Sequence, residues 1–298
     1  MAEEMVHGVG PSKIDMAFER LGDPRHPPVL LIMGAGAQLV NWPDGFCAEL
    51  VERGLHLIRF DNRDAGRSTH FTETPPPDFT AAMAGDFATV PYTLSDMAAD
   101  AIGLLDALGY DSVHVVGASQ GAMIAQTMAI EYPRRVLSLT SMLSTTGNPE
   151  VGQADPRVFG LPGAASEDRA DYIEWRVRLQ RELGSPGFAF DAEAAAATAG
   201  RAWDRDHDGS AMLRQVVAVL ASGDRTPRLR ELELPTLVIH GTEDRMFDVS
   251  GGRATAAAIE GARLMIFEGM GHSLPRELWG SIADHITGLV LLSRRKFL

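Results

Sequence analysis

Short runs of nearly continuous apolar residues punctuate the chain at Pro28 to Met33, Leu55 to Phe60, Val113 to Val116, Val136 to Met142, Thr236 to His240 and Arg263 to Phe267. Runs this short and unbroken predict strands buried on both faces, as in a parallel sheet covered by helices. Between them the spacing turns helical. Over Ser95 to Leu108, the residues Met97, Ala101, Leu104, Leu105 and Leu108 form one stripe. Thr93 is placed to cap this helix, Asp96 favours its first turn, and Gly109 can end it. Alternating strands and helices predict an α/β chain with a mostly parallel, doubly wound sheet and right-handed crossovers.

One interval breaks the alternation. From 144 to 232 no strand pattern is present, only helical stretches around Asp168 to Leu183, Asp191 to Arg205 and Ala211 to Ala221. An insertion of this kind predicts a helical cap above the C-terminal ends of the strands, where open α/β sheets bind ligands. The expected organisation is therefore a core of residues 1–143 and 233–298 with a cap of 144–232. Pro149, Pro156 and Pro162, with nearby glycines, mark the first part of the insertion as loop.

The pentapeptide Gly117-Ala118-Ser119-Gln120-Gly121 sits between the strand-like Val113 to Val116 and a helical run from Gln120 to Tyr132 that stops before Pro133. A sharp strand-to-helix turn there would hold Ser119 in a strained conformation, hydroxyl clear of the sheet, with flanking glycines avoiding side-chain clashes. A serine hydroxyl is nearly inert at neutral pH. It needs a histidine base, and that base needs an acid to fix its tautomer. Asp244 follows the strand Thr236 to His240, and His272 follows the strand Arg263 to Phe267 within Gly269-Met270-Gly271-His272. Glu243 and Asp248 are the alternatives for the acid. Among the other histidines, His114 and His240 belong in or beside strands, and His207 and His285 lie in helical or polar surroundings. None has the glycine-flanked, strand-following position of His272.

Acyl transfer builds negative charge on the former carbonyl oxygen, which calls for two oriented N–H donors. The Gln120 amide, at the start of the helix after Ser119, is one candidate. The second lies in the loop Met33-Gly34-Ala35-Gly36-Ala37, with Ala35 preferred and Gly34 next. A dinucleotide-binding reading of this loop fails because Gly34 and Gly36 lack a third glycine at the required spacing.

Composition narrows the picture further. A net charge of −13 argues against nucleic acid and anionic membrane surfaces as partners, since both attract basic patches. The single cysteine, Cys47, rules out internal disulfides, suits a reducing compartment and fills space near Trp42 and Phe46. Met1 to Lys13 is polar and acidic with no apolar leader, so a cytoplasmic location is expected. Ile286 to Leu292 is too short for a span of ~20 apolar residues, and the following Arg294-Arg295-Lys296 complements a helix C-terminus. No His and carboxylate spacing matches a metal motif, so neither metal nor cofactor is expected. The expected partner is a small-molecule ester, and the oligomeric state is monomer or homodimer.

With these pieces in place the chain resembles the α/β-hydrolase superfamily from about Lys13 to Leu291. The resemblance rests on Met33-Gly34-Ala35-Gly36, on Asp61-Asn62-Arg63-Asp64-Ala65-Gly66-Arg67-Ser68, on the pentapeptide, on Gly241-Thr242-Glu243-Asp244, on Gly269 to His272, and on the order nucleophile, acid, base. Within the superfamily it is most similar to bacterial esterases of the aclacinomycin methylesterase type, through Met33-Gly34, Asn41-Trp42-Pro43 and Pro235 to Ile239. It departs from the superfamily in carrying Met33-Gly34 for His-Gly, Asp64 where Asp-x-Arg-Gly has glycine, and Gln120 where that esterase type carries methionine. The resemblance implies a cofactor-free serine hydrolase acting on esters of small to medium hydrophobic substrates. Trp42, Trp175, Phe188, Phe190 and Trp203 are candidate pocket walls. A lactone or carbon–carbon bond hydrolase on the same triad is the alternative, followed by a ligand-binding module that turns over poorly.

Overall fold

Eight strands make one sheet: β1 (Glu4–Val9), β2 (Ile14–Leu21), β3 (Pro28–Ile32), β4 (His56–Phe60), β5 (Val113–Ala118), β6 (Val136–Met142), β7 (Thr236–Gly241) and β8 (Arg263–Phe267). Their spatial order is β1-β2-β4-β3-β5-β6-β7-β8. The structure, a computed structural model, describes residues 3–160, 168–209 and 211–294. Pro162 and the basic pair Arg295-Lys296 lie outside that range. Every neighbouring pair from β4 to β8 is parallel, whereas β1 with β2 and β2 with β4 are antiparallel.

Strands β3 to β8 are the six apolar runs. The hairpin β1-β2 adds two strands that the apolar runs do not predict. An edge hairpin needs apolar residues on one face only, so β1, with several exposed positions, lacks the continuous run that betrays an interior strand.

Ten helices complete the chain: α1 (Asp44–Glu52), α2 (Phe79–Met83), α3 (Leu94–Leu108), α4 (Gln120–Glu131), α5 (Arg169–Leu183), α6 (Ala192–Arg205), α7 (Ala211–Ser222), α8 (Thr226–Leu229), α9 (Val249–Ala258) and α10 (Trp279–Arg294), counted among the described residues. Side chains alternate across a strand, and β3 shows the consequence. Leu30 and Ile32 join a core with Met97, Ala101 and Leu104 of α3 and Met123 and Met128 of α4. Val29 and Leu31 face the other way, toward Phe46 and Leu50 of α1 and Ile282 and Ile286 of α10. Helix α3 begins and ends as its sequence requires: the Thr93 amide and hydroxyl both donate to Asp96 Oδ2 at 2.8 Å, and Gly109 closes it at φ 76°. Among the described residues no helix is long and apolar enough to cross a membrane.

Between β6 and β7 the described residues carry α5 to α8 and no strand. Two buried carboxylates in the loop after β4 fasten these helices to the sheet. Arg205 Nη2, at the end of α6, donates to Asp61 Oδ2 at 2.7 Å and also reaches Glu3 at 2.7 Å. Arg214 of α7 grips Asp64 through Nη2 and Nε at 2.7 and 2.9 Å. Tyr92 donates to the same Asp64 carboxylate at 2.6 Å. The neighbouring Arg63 forms a buried bidentate pair with Asp100 of α3 at 2.6 and 2.8 Å. Charges this buried require such pairing, because an unpaired one would lose its hydration without replacement.

Candidate active site

Ser119 stands at the break between β5 and α4 with φ 56° and ψ −124°. A positive φ is costly for a residue with a Cβ, so the surrounding bonds have to impose it. The Ser119 amide donates to Met142 O at 2.9 Å, and Ser144 Oγ donates to Ser119 O at 2.8 Å. The two flanking glycines answer to close packing: a Cβ on Gly117 would collide with the Gly121 carbonyl, and one on Gly121 with the Ile32 carbonyl. Strand β3 therefore approaches the turn closely. Its following loop does the same, since a Cβ on Gly34 would lie 2.9 Å from Ser119 Cβ and 3.3 Å from Ser119 Oγ.

Asp244 and His272 lie past the ends of β7 and β8 and meet through a hydrogen bond. His272 Nδ1 is 2.8 Å from Asp244 Oδ2 and 3.1 Å from Oδ1. An ionised carboxylate only accepts, so Nδ1 carries the proton and Nε2 is left as the basic nitrogen. The Met246 and Phe247 amides donate to Asp244 Oδ1 at 2.9 and 3.0 Å. Burial pushes the Asp244 carboxyl up, but the adjacent His272 and His240 and the Phe247 amide outweigh it and hold it below the ordinary value of 3.8. Ser119 Oγ and His272 share no hydrogen bond in the structure.

The rival acids have other work. Glu243 is exposed. Asp248 caps α9 by accepting from the Ser250 amide at 2.8 Å and also accepts from Gln153 N at 2.8 Å. His114 and His240 are buried as expected, bonded to Ser138 Oγ and Phe247 O, both at 2.8 Å. The Phe247 carbonyl places the proton of His240 on Nε2, leaving the buried Nδ1 without a hydrogen-bond partner among the described residues. Burial holds His240 below the ordinary histidine value of 6.5. Below that value the unfolded chain takes up a proton that folded His240 resists. Its contribution to stability is thus present above pH 6.5 and shrinks as pH falls through it. Thermal melts from pH 7.5 to 5 should show Tm falling with acid, and His240→Asn should flatten that slope. An equal slope in the variant rules the contribution out.

In the loop after β3, the Ala37 amide turns back to Gly34 O at 3.2 Å, and the Gly36 amide donates to Gln215 Oε1 at 2.8 Å. The Ala35 amide has no internal acceptor among the described residues. Gln120 is the first residue of α4, so its amide is one of the donors a helix leaves without an internal partner. Its side chain is buried, with Nε2 donating to Gln215 O at 2.8 Å and Oε1 without a partner among the described residues.

The aromatic candidates separate. Trp42 is fully buried and stacks on Phe46 in the core against α10. This corrects its assignment as a pocket wall, since a wall must show surface before the ligand arrives. Trp175 packs on its α5 neighbour Tyr172, with ring centroids 5.8 Å apart, and Trp203 packs on the same ring at 5.0 Å, joining α6 to α5. Phe190 is exposed beneath the Arg181 guanidinium, 4.8 Å from its ring. Phe188 is half-buried against the core cluster of α1 and α10. Cys47 is buried, and burial pushes its thiol up to about 11, far from a reactive thiolate.

Sequence reasoning missed the contacts from the insertion. The His272 amide donates to Leu183 O at 2.8 Å, and Gly271 N donates to Ser185 Oγ at 3.0 Å. Gln215 reaches the opposite side of the site. The available signal was two polar residues, Arg214 and Gln215, among the buried positions of an otherwise apolar α7 face. Among the described residues no group of three His, Cys, Asp or Glu is placed to hold a metal ion.

Comparison with known proteins agrees with this architecture. Residues 27–275 match the family described as alpha/beta hydrolase fold. The chain is 32% identical over 287 residues to rhodomycin D methylesterase DnrP of Streptomyces peucetius, covering 88% of this chain and 90% of that protein. It is 31% identical over 288 residues to rhodomycin D methylesterase DauP of Streptomyces sp. (strain C5), with the same coverage. The crystal structure of esterase RhEst1 from Rhodococcus sp. ECU1013 superposes with a TM-score of 0.73 at 21% identity, covering 97% of this chain and 100% of that one. Sheet order, the strained serine turn and the family match over most of its length agree, and the chain belongs to the α/β-hydrolase family.

Proposed function

We propose that the protein is a carboxylic ester hydrolase working through Ser119, His272 and Asp244 and a covalent acyl-enzyme. The observation that carries this reading is the bond of half-buried His272 to buried Asp244, 2.8 Å apart, together with a serine held at positive φ in the strand-to-helix turn after β5. Similarity to two methylesterases supports an ester as the substrate and a methyl ester as its first candidate. Ser119 Oγ attacks the acyl carbon while its proton passes to His272 Nε2, and Asp244 stabilises the resulting imidazolium. The Gln120 and Ala35 amides, with Gly34 beside Ser119, receive the oxyanion. His272 then protonates the departing alcohol, and water attacks the acyl-enzyme in the reverse sense to release the acid.

Segment 144–232 acts in this reading as the cap, tied to the His272 loop at Leu183 and Ser185. Phe188, on the connection between α5 and α6, and the Trp175 and Trp203 cluster supply apolar surface for a small to medium hydrophobic substrate. A series of p-nitrophenyl and methyl esters, assayed beside a lactone and a β-diketone, tests the reaction class. Ester turnover is expected, with a burst of about one alcohol per Ser119 when deacylation limits. Cleavage of the diketone without ester turnover would move the protein to carbon–carbon bond hydrolysis.

A further inference from the structure

We propose that Gln215, on α7 of the insertion, is a positioning residue that holds the oxyanion hole in its working shape. The inference rests on the ester-hydrolase reading and adds to it a residue remote in sequence from every motif. Gln215 is fully buried, and its polar groups are spent on the two walls of the hole. Oε1 accepts from Gly36 N at 2.8 Å. Nε2 donates to Arg63 O at 2.7 Å, and Arg63 is itself clamped on Asp100. Its backbone carbonyl accepts from Gln120 Nε2 at 2.8 Å. One residue thus joins the loop carrying Ala35 to the residue following Ser119, and anchors both to the loop after β4.

The loop explains why such an anchor is needed. Gly34 to Ala37 is closed by the Ala37 N to Gly34 O bond at 3.2 Å, and Gly36 has φ 63°, the positive φ that a type II turn requires at its third residue. A type II turn differs from type I by a flip of the central peptide, here that between Ala35 and Gly36. The Gly36 N–H belongs to that peptide, so its bond to Gln215 selects one flip and holds the turn that carries the Ala35 amide in place against α7. Met212, one helical turn earlier on α7, covers the same spot: its Cγ and Sδ would lie 3.0 Å from a Cβ on Gly36. A preorganised hole loses rate steeply when a donor is displaced by even ~1 Å.

Two substitutions test this against a merely structural role. Gln215→Met keeps the side-chain length and removes both hydrogen bonds. Gln215→Glu keeps both while the introduced carboxyl is protonated and loses the donation to Arg63 O once it ionises. In Gln215→Met, kcat on p-nitrophenyl esters should fall about 10- to 100-fold, with KM within about threefold. Labelling of Ser119 by a fluorophosphonate, which places an anionic oxygen in the same hole, should slow by a similar factor. For Gln215→Glu, the ratio of variant to wild-type kcat should be near one at low pH and drop as pH rises. Should Gln215→Met fail to fold, the ratio in Gln215→Glu carries the test alone. Unchanged kcat and labelling in folded Gln215→Met overturn the proposal, as does a pH-independent ratio in Gln215→Glu. If wild-type protein neither hydrolyses the esters nor labels at Ser119, the ester-hydrolase reading itself falls, and this inference with it.

Discussion

Ser119→Ala should reduce ester turnover on the order of 10⁴-fold or more while leaving the fold in place. The hydroxyl makes no hydrogen bond to His272 in the structure and lies on a half-buried residue, so its loss removes little packing. What shapes the turn survives the change, because the bonds to Met142 O and from Ser144 Oγ are made by the Ser119 backbone. The variant should therefore melt within a few degrees of wild type, and residual hydrolysis should match what the oxyanion donors provide alone. It should also fail to react with a fluorophosphonate. The measurement is kcat/KM on a p-nitrophenyl ester for purified protein of both kinds, with the melts alongside. Turnover retained at the wild-type level would remove Ser119 as nucleophile and return the pentapeptide to a tight turn.

Asp244→Asn should cost about 10⁴-fold in kcat, and the geometry says why. Asp244 Oδ1 accepts two backbone N–H bonds, from Met246 and Phe247. An asparagine must place its carbonyl oxygen there and turn its NH₂ toward His272 Nδ1. Facing a donor, Nδ1 has to give up its proton, which moves to Nε2. That nitrogen then cannot accept the Ser119 proton. Asp248→Asn supplies the contrast: Asp248 caps α9 at the Ser250 amide, asparagine caps nearly as well, and turnover should change by less than about tenfold. Steady-state kinetics of the two variants decide the matter, and the opposite ranking would make Asp248 the acid.

Much of this molecule is legible in one dimension because its strongest signals are local. Interior parallel strands must be apolar throughout, so β3 to β8 stand out, while the one-sided hairpin β1-β2 does not. The Ser119 turn, the strand-end positions of Asp244 and His272, and the Thr93 to Gly109 frame of α3 each follow from a few neighbouring residues and the period of their element.

The choice of Asp244 over Glu243 and Asp248 has a different origin. All three carboxylates share one short turn, and only the packed positions of Phe247, His272 and Ser250 show which one faces the histidine. The same holds for Trp42, whose indole reads equally well as core or as pocket wall until α10 is laid against α1.

By itself, the sequence determined the α/β class, the parallel strands and the positions of Ser119, Asp244 and His272 just past the ends of β5, β7 and β8, because those depend on hydrophobic period and turn chemistry within a few residues of each. Only the tertiary structure decided which polar side chains of the insertion reach the site. Gln215 bonds to Gly36, Arg214 to Asp64, Arg205 to Asp61, and Leu183 to His272 across long stretches of chain. A hydrogen bond depends on distance and direction in space, and nothing in the local period of a helix records which distant carbonyl or amide it will meet.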